Sequence, residues 1–189
     1  ARFSTEFVKL KATAPNSLNN PYTSAKDDHQ LITLAEAYRP DLISFHFGLP
    51  NKKILSALKK LDIPIITSVT NLDDATLALN AGVDGLIAQG IEAGGHRATF
   101  DADSDYDFAS SALTTLELVR RLRPLTSLPI IAAGGIMNGA DIAQALSAGA
   151  DAVQLGSAFL LCPESGANQD YRDQVRGARA VSPRLTRAR

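Results

Sequence analysis

Five short apolar runs, separated by longer stretches of helical periodicity, constrain the fold of this chain most strongly. The runs are almost continuously apolar, which is typical of strands buried on both faces of a sheet. We predict strands at Leu42–Phe47, Ile63–Val69, Gly85–Gln89, Leu128–Ala133 and Ala152–Leu155. Because strands and helices alternate along the chain, the pattern predicts an α/β fold with a parallel sheet and crossover helices.

The segments around these strands carry helix signals. We predict helices at Gln30–Arg39, Lys52–Leu61, Asp73–Ala81, Ser111–Arg123, Asp141–Ala148 and about 168–180. Asn71 and Asn138 are candidate N-caps, and Gly82 and Gly149 are candidate helix stops. Residues 1–29 supply no strand and are expected to be mostly irregular.

A repeated segment favours a barrel over a doubly wound sheet. Residues 78–86 (ALNAGVDGL) recur as residues 145–153 (ALSAGADAV), each with a helix end, a glycine, an aspartate and a strand. Repeated βα units are expected in a (β/α)8 barrel, although two unrelated turns could also share this pattern. A closed barrel has eight strands, so we expect the other three to lie outside these 189 residues, or else the barrel to be open.

Composition excludes several classes of function. Hydrophobic residues make up 45% of the chain, the net charge is −1, and no basic patch suggests nucleic acid. No apolar run approaches the roughly 18 residues of a membrane-spanning helix. The single cysteine, Cys162, excludes an internal disulfide and a multi-cysteine metal site. We expect a packing role for Cys162 and a reducing, cytoplasmic location for the protein.

The segment 89–97, QGIEAGGHR, is the strongest functional signal. It begins at the end of a predicted strand, and its glycines allow the backbone to come close to a bound ligand. His96 is the one side chain in the segment that titrates near neutral pH. The segment therefore predicts a ligand pocket with an acid/base group at its mouth.

Two successive strand ends predict a phosphate site. The fourth predicted strand ends in Gly134 and Gly135, and the fifth ends in the segment 154–157 (QLGS). In barrels, the loops after the last two strands commonly bind phosphate through backbone N–H groups. Glycine suits this role because a Cβ would keep the phosphate away from the backbone, and Ser157 adds a hydroxyl donor. The alternative is a pair of tight turns without a ligand.

Four motifs together resemble those of a known family. They are QGIEAGGHR at 89–97, SFHFGLP at 44–50, AAGGI at 132–136 and VQLGS at 153–157. With them, residues 40–175 resemble the nitronate monooxygenases, formerly called 2-nitropropane dioxygenases. The resemblance implies a (β/α)8 (TIM) barrel with non-covalent FMN at the carboxyl ends of its strands. Residues 1–189 would then belong to one FMN-binding domain, with βα units over 40–180 that supply about its fourth to eighth strands.

The resemblance also implies roles for individual residues. By matching position, the FMN contacts are expected at Gln89, Gly94, Gly95, Gly134, Gly135, Gln154, Leu155, Gly156 and Ser157, with no metal. His96 matches the family's catalytic base. A nitroalkane α-carbon is acidic enough for an imidazole to deprotonate, provided that the base reaches it. The nitronate would then give an electron to FMN, and oxygen would complete the oxidation.

The sequence departs from the family in two places. Ala98 stands where the motif usually has glycine, which would leave the loop after His96 less free to curl over the flavin. The family's opening strand, with its Gln-Ala-Pro-Met segment, is not found in this sequence. A barrel without its first strands would expose unpaired N–H and C=O groups, and such a remnant is expected to bind no flavin and to have no activity.

We expect an oxidoreductase that acts on small nitronates or nitroalkanes with molecular oxygen. One alternative is an FMN quinone or enoyl-thioester reductase of the same barrel type that uses NAD(P)H. Another is an inactive phosphate-binding fragment. We expect neither a nucleic-acid nor a membrane partner, and a homodimer is compatible with such barrels.

Other polar residues are expected to have structural roles. We expect His46 to be packed and hydrogen-bonded, and Glu92 to hold the loop that contains it. Asp84 and Asp151 are predicted turn residues. The segment Asp101–Asp105 lacks the glycine and distal glutamate of a calcium loop and is predicted to be solvated.

Overall fold

The described part of the chain forms a parallel sheet with helices between its strands. The structure, a computed structural model, describes residues 8, 9, 11, 13, 24–100 and 112–177. Their elements are, in chain order, α1 (Gln30–Tyr38), β1 (Ile43–Phe45), α2 (Lys52–Lys60), β2 (Ile65–Val69), α3 (Leu72–Ala81), β3 (Gly85–Gln89), α4 (Thr115–Leu122), β4 (Ile130–Ala133), α5 (Gly139–Ser147), β5 (Ala152–Gln154) and α6 (Gln169–Arg176). Short 3₁₀ helices lie at Arg123–Leu125 and Ser157–Phe159.

The five strands lie in the sheet in the same order as in the chain. The order is β1-β2-β3-β4-β5, and every neighbouring pair is parallel. A doubly wound sheet reverses its strand order at a switch point, whereas a (β/α)8 barrel is wound in one direction throughout. The sheet is therefore wound as an arc of a barrel, as the repeat in the sequence predicts.

The two faces of the sheet bury different side chains. The main core lies between the sheet and the helices, and its fully buried members include Ile54, Leu58, Ile65, Leu86, Leu118 and Ile130. A smaller apolar cluster, formed by Ile66, Ile87 and Ala133, lies on the other face. Because successive side chains of a strand alternate between faces, Ser68 and Gln89 share this second face.

Most predicted helix boundaries are confirmed. The side chain of Asn71 caps α3 by accepting a hydrogen bond from the Asp74 N–H, and Gly82 ends that helix in the left-handed conformation. Asn138 caps α5 in the same way, and the Asp141 carboxylate accepts in return from the Asn138 N–H. The predicted extension of the last helix beyond residue 177 lies outside the described residues.

The predicted start of α4 at Ser111 is wrong. Residues 112–114 are not helical, and the helix begins at Thr115. The Thr114 hydroxyl accepts from the Glu117 N–H, and the Glu117 carboxylate accepts from the Thr114 N–H. This reciprocal capping box fixes the helix start. The predicted first strand is also too long, since β1 ends at Phe45.

The repeated aspartates fix the strand register as well as the turns. The Asp84 carboxylate accepts a hydrogen bond of 2.8 Å from the Ile65 N–H, and the Asp84 N–H donates to the Ile65 carbonyl at 2.7 Å. Asp151 makes the same pair of bonds with Ile130, and it also forms an ion pair with Arg123 at 2.9 Å. Each aspartate therefore ties the start of its own strand to the start of the preceding one.

We expect Asp84→Ala to lower the free energy of unfolding by about 1–2 kcal/mol, because the N–H of the fully buried Ile65 loses its charged acceptor. Urea denaturation followed by circular dichroism measures the change. Asp41→Ala, which removes an exposed carboxylate, is the matched control and should change stability by less than about 0.5 kcal/mol. Equal effects of the two substitutions would show that the Asp84 bonds do not stabilise the sheet.

Candidate active site

A small cleft lies at the carboxyl ends of β3, β4 and β5. Its volume is about 100 Å³, and it is lined by Gln89, Ala93, Gly94, Ala133, Gly134, Gly135, Ile136, Met137, Gln154, Gly156 and Ser157. Sites that hold a whole small molecule usually measure about 300 Å³ or more. The cleft can therefore take only one part of such a ligand, for example a phosphate group.

The cleft brings together most of the residues predicted to bind the cofactor. Those that line it are Gln89, Gly94, Gly134, Gly135, Gln154, Gly156 and Ser157. Gly95 and Leu155 do not line it, and Leu155 packs against the main core instead. The prediction missed Ala93, Ile136 and Met137, although each lies beside a predicted glycine or the Asn138 cap.

Two glycines show how closely the backbone borders the cleft. A Cβ on Gly94 would lie 2.6 Å from the Ser157 hydroxyl oxygen, so the two loops meet across the cleft and a side chain at position 94 would make the serine hydroxyl turn away. Gly156 is different, because none of the described residues lies within 4 Å of the position of its Cβ. Crowding within the described part of the chain therefore does not require glycine at position 156. The open space beside Gly156 suits a ligand group.

Glu92 and Thr115 join the two loops beneath the cleft. The Glu92 carboxylate accepts from the Thr115 N–H at 2.9 Å, and the Thr115 hydroxyl lies 3.0 Å from the Gly134 carbonyl. A Cβ on Gly90 would lie only 2.3 Å from the Thr115 nitrogen, so this junction requires glycine. The predicted loop-holding role of Glu92 is confirmed. The role of Thr115 was missed, although the capping-box pattern at 114–117 marks its place.

Gln89 connects the cleft to the loop that carries His96. Its side chain is buried, and its Nε2 donates to the His96 carbonyl at 3.0 Å. Its Oε1 accepts from the Ala98 N–H at 2.7 Å. Ala98 is fully buried, so its methyl group is accommodated in the folded loop. One amide group therefore holds the loop at the His96 carbonyl and at the Ala98 N–H.

The ring of His96 is exposed beside Phe47. The two ring centroids lie 5.8 Å apart, and the ring planes are nearly perpendicular at 89°. In the described part of the chain, no group forms a hydrogen bond with the His96 ring. His96 does not line the cleft, but it follows Gly94 on the same loop. The site thus presents an accessible imidazole next to a glycine-lined cleft.

His46 is hydrogen-bonded, as predicted. Its Nδ1 lies 3.1 Å from the Ser68 hydroxyl oxygen, and its Nε2 lies 3.1 Å from the His96 carbonyl oxygen. Its ring also contacts Phe47 at a centroid distance of 4.6 Å. The residue is exposed rather than packed in a core, and it lies next to the loop of His96.

A polar group behind the loop includes a buried carboxyl. Asp74 accepts from the Thr70 hydroxyl at 3.0 Å, and Arg97 Nη2 donates to the Thr70 carbonyl at 3.4 Å. Burial raises the pKa of Asp74, although hydrogen bonds from Thr70 and Phe100 and the charge of Arg97 oppose the rise. Because the pKa is higher in the folded state, ionisation of Asp74 lowers stability as the pH rises through that value.

Two other findings limit the kind of site. Within the described ranges, no group of three or more His, Cys, Asp or Glu side chains is placed to hold a metal ion. Over the same ranges, no helix combines the length and apolar character needed to cross a bilayer. The segment Asp101–Asp105 lies outside the described residues, so its predicted solvation stays a prediction.

The chain is similar to named proteins along almost its whole length. A nitronate monooxygenase of Pseudomonas aeruginosa is 44% identical over 180 residues, which are 95% of this chain and 50% of that protein. One of Paraburkholderia phytofirmans is also 44% identical, over 96% of this chain and 49% of that protein. The chain therefore spans about half the length of these curated relatives.

Two solved structures are also similar to this chain. A nitroalkane oxidase from Streptomyces ansochromogenes matches with a TM-score of 0.79 and 32% identity, over 94% of this chain and 50% of the other. FabK from Thermotoga maritima matches with a TM-score of 0.62 and 30% identity, over 77% of this chain and 42% of the other. With the sequential parallel strands, the first match confirms the predicted barrel class for the part that this chain covers.

A family model gives the same assignment. The model described as nitronate monooxygenase matches residues 6–189, which include every strand of the sheet and every residue that lines the cleft. The four motifs, the order of the strands and these similarities all lead to one family. The chain belongs to the nitronate monooxygenase family.

Proposed function

We propose that the protein oxidises alkyl nitronates and nitroalkanes, such as propionate 3-nitronate, with FMN and molecular oxygen. The observation that carries this proposal is the connection between a glycine-lined cleft and an accessible imidazole through Gln89. The relatives named nitronate monooxygenase support the substrate class. The single cysteine suits a reducing compartment, so we also propose that the protein works in the cytoplasm.

The residues of the cleft fit the phosphate end of FMN. Gly156 leaves open space where a side chain would lie, and the Ser157 hydroxyl borders that space. Gly134 and Gly135 complete the lining from the neighbouring strand end. On this proposal these residues hold the phosphate, while Gln89 and Gly94 contact the flavin. FMN, when bound, supplies the electron-accepting chemistry that no protein side chain offers.

His96 is the residue best suited to move the substrate proton. Within the described residues its ring nitrogens make no hydrogen bond, so one of them can accept a proton from the α-carbon of a nitroalkane. The electron pair of the broken C–H bond then moves into the nitro group, which gives the nitronate. General base catalysis of this kind requires an imidazole within reach of the carbon. Phe47 packs against the His96 ring and restricts its orientation.

Oxygen consumption by the FMN-loaded protein, purified at its full native length, tests the proposed function. We expect oxygen uptake with an alkyl nitronate and little with NADH and a quinone, because the site is proposed to act on carbon acids. Steady NADH oxidation with a quinone, together with no reaction with nitronates, would contradict the proposal and favour a reductase. If the protein takes up no FMN and reacts with neither substrate, the alternative of an inactive protein that only binds phosphate is favoured.

A further inference from the structure

We propose that His46 is a positioning residue for His96, and that the His96 carbonyl selects the tautomer in which it does so. This inference rests on the proposed role of His96 as the base. It assigns a second histidine to the site, one that acts through the backbone of the first and does not accept the substrate proton itself.

The backbone carbonyl of His96 accepts hydrogen bonds from two side chains. Its oxygen lies 3.0 Å from Gln89 Nε2 and 3.1 Å from His46 Nε2. A carbonyl oxygen has two lone pairs and can only accept, so both nitrogens must donate. Two side chains from different strand ends therefore hold the backbone of the one residue whose ring is to face the substrate.

The bond to the His96 carbonyl determines which ring nitrogen of His46 carries the hydrogen. Because Nε2 carries the hydrogen that is donated to the His96 carbonyl, Nδ1 of the neutral ring is an acceptor. The Ser68 hydroxyl lies 3.1 Å from Nδ1 and can donate to it. Ser68 is 3% exposed and sits within β2, so its position is fixed by the sheet. The serine can thus bond to the Nε2–H form of His46, which the acceptor-only His96 carbonyl requires.

The two histidine rings differ in their hydrogen bonds, and therefore in the role that each can have. Both ring nitrogens of His46 are engaged, one with Ser68 and one with the His96 carbonyl. The ring of His96 has no hydrogen-bond partner among the described residues. A general base needs a free lone pair, so His96 can take the proton and His46 cannot do so without giving up a bond.

The sheet explains why these residues meet. Ser44 pairs with Ile66 in the register of β1 and β2, and His46 and Ser68 each follow two positions later. Ser68 shares with Ile66 the face of β2 opposite the helices, and His46 is the first residue beyond the end of β1. Phe47 then contacts the His46 ring on one side and the His96 ring on the other.

The test compares His46→Ala with His46→Gln in the FMN-loaded protein. We expect His46→Ala to lower kcat for a neutral nitroalkane by about 10- to 100-fold, with KM and FMN content little changed, because a small displacement of a base costs rate rather than binding. His46→Gln should recover most of the rate, since its amide nitrogen is as many bonds from Cα as Nε2 of histidine. His29→Ala, at an exposed histidine whose side chain makes no cap bond, is the matched control.

Two readouts do not depend on turnover. Hydrogen exchange of residues 96–100 should become faster in His46→Ala and remain at the wild-type rate in His46→Gln. Nitrogen NMR of the histidine rings should show the Nε2–H tautomer of His46, and Ser68→Ala should keep it, because the His96 carbonyl can only accept. A merely structural role would not produce this tautomer together with faster exchange in His46→Ala and its rescue in His46→Gln.

The outcomes separate this inference from the proposed function. If His96→Ala abolishes nitroalkane oxidation but His46→Ala keeps the wild-type kcat, the positioning role is wrong and the base assignment stands. If the wild-type protein does not oxidise nitroalkanes, the proposed function fails, and hydrogen exchange then decides the role of His46. Unchanged hydrogen exchange of residues 96–100 in His46→Ala would overturn the positioning role of His46. If His46→Ala does not fold, an Nδ1–H ring in the wild-type protein would also overturn it.

Discussion

Replacement of His96 by alanine is expected to lower kcat/KM for a neutral nitroalkane by about 10²- to 10⁴-fold, the usual contribution of a general base. The same substitution should affect a preformed nitronate much less, because that substrate has already lost its α-proton. His96 is exposed on its loop, and no described core residue depends on its ring. We therefore expect the variant to fold and to keep its FMN. Initial rates with a nitroalkane and with its nitronate, measured side by side, give the ratio.

The control for this experiment is His29→Ala, which removes an exposed histidine from the start of α1 and should leave both rates unchanged. Equal losses with the nitroalkane and the nitronate in His96→Ala would contradict the assignment of His96 as the base. They would indicate that the ring binds or orients the substrate instead.

Gly156→Val is expected to weaken FMN binding by at least about 10²-fold, or about 2.7 kcal/mol. The valine side chain would occupy the open space beside residue 156 where we place the phosphate. Since none of the described residues lies within 4 Å of that Cβ, the substitution should meet no steric clash with them and should fold. Fluorescence titration of the apoprotein with FMN measures affinity, and the melting temperature checks the fold.

Gly166→Val is the matched control for this substitution. Position 166 also has none of the described residues within 4 Å of its Cβ, but it does not line the cleft. FMN affinity should therefore stay at the wild-type value. If Gly156→Val binds FMN as tightly as the wild-type protein does, the phosphate does not lie beside Gly156, and the assignment of this cleft is wrong.

Features that depend on short sequence patterns could be predicted. Asn71 before α3 and Gly82 after it lie where their capping preferences place them. The Gly134-Gly135 pair and the segment 154–157 follow strands, and parallel strands direct such ends to one edge of the sheet. Most of the cleft could therefore be located from motifs at strand ends, without any knowledge of the packing.

Features that depend on contacts between distant residues could not be predicted. Glu92 and Thr115 are 23 residues apart, and only the folded loops bring their polar groups together. His46 and His96 are 50 residues apart, and their contact requires both the strand register and the closure of the glycine-rich loop. Leu155 was assigned to the cofactor by its position in a motif, but its apolar side chain packs against the core instead.

We propose that this site binds FMN and that the bound FMN receives electrons from the substrate. The most direct test is the visible absorption spectrum of the protein, purified at its full native length, before and after an alkyl nitronate is added without oxygen. We expect oxidised flavin bands that are bleached by the nitronate, with free FMN released on denaturation. A colourless protein that takes up no added FMN, or flavin bands that the nitronate leaves unchanged, would contradict it.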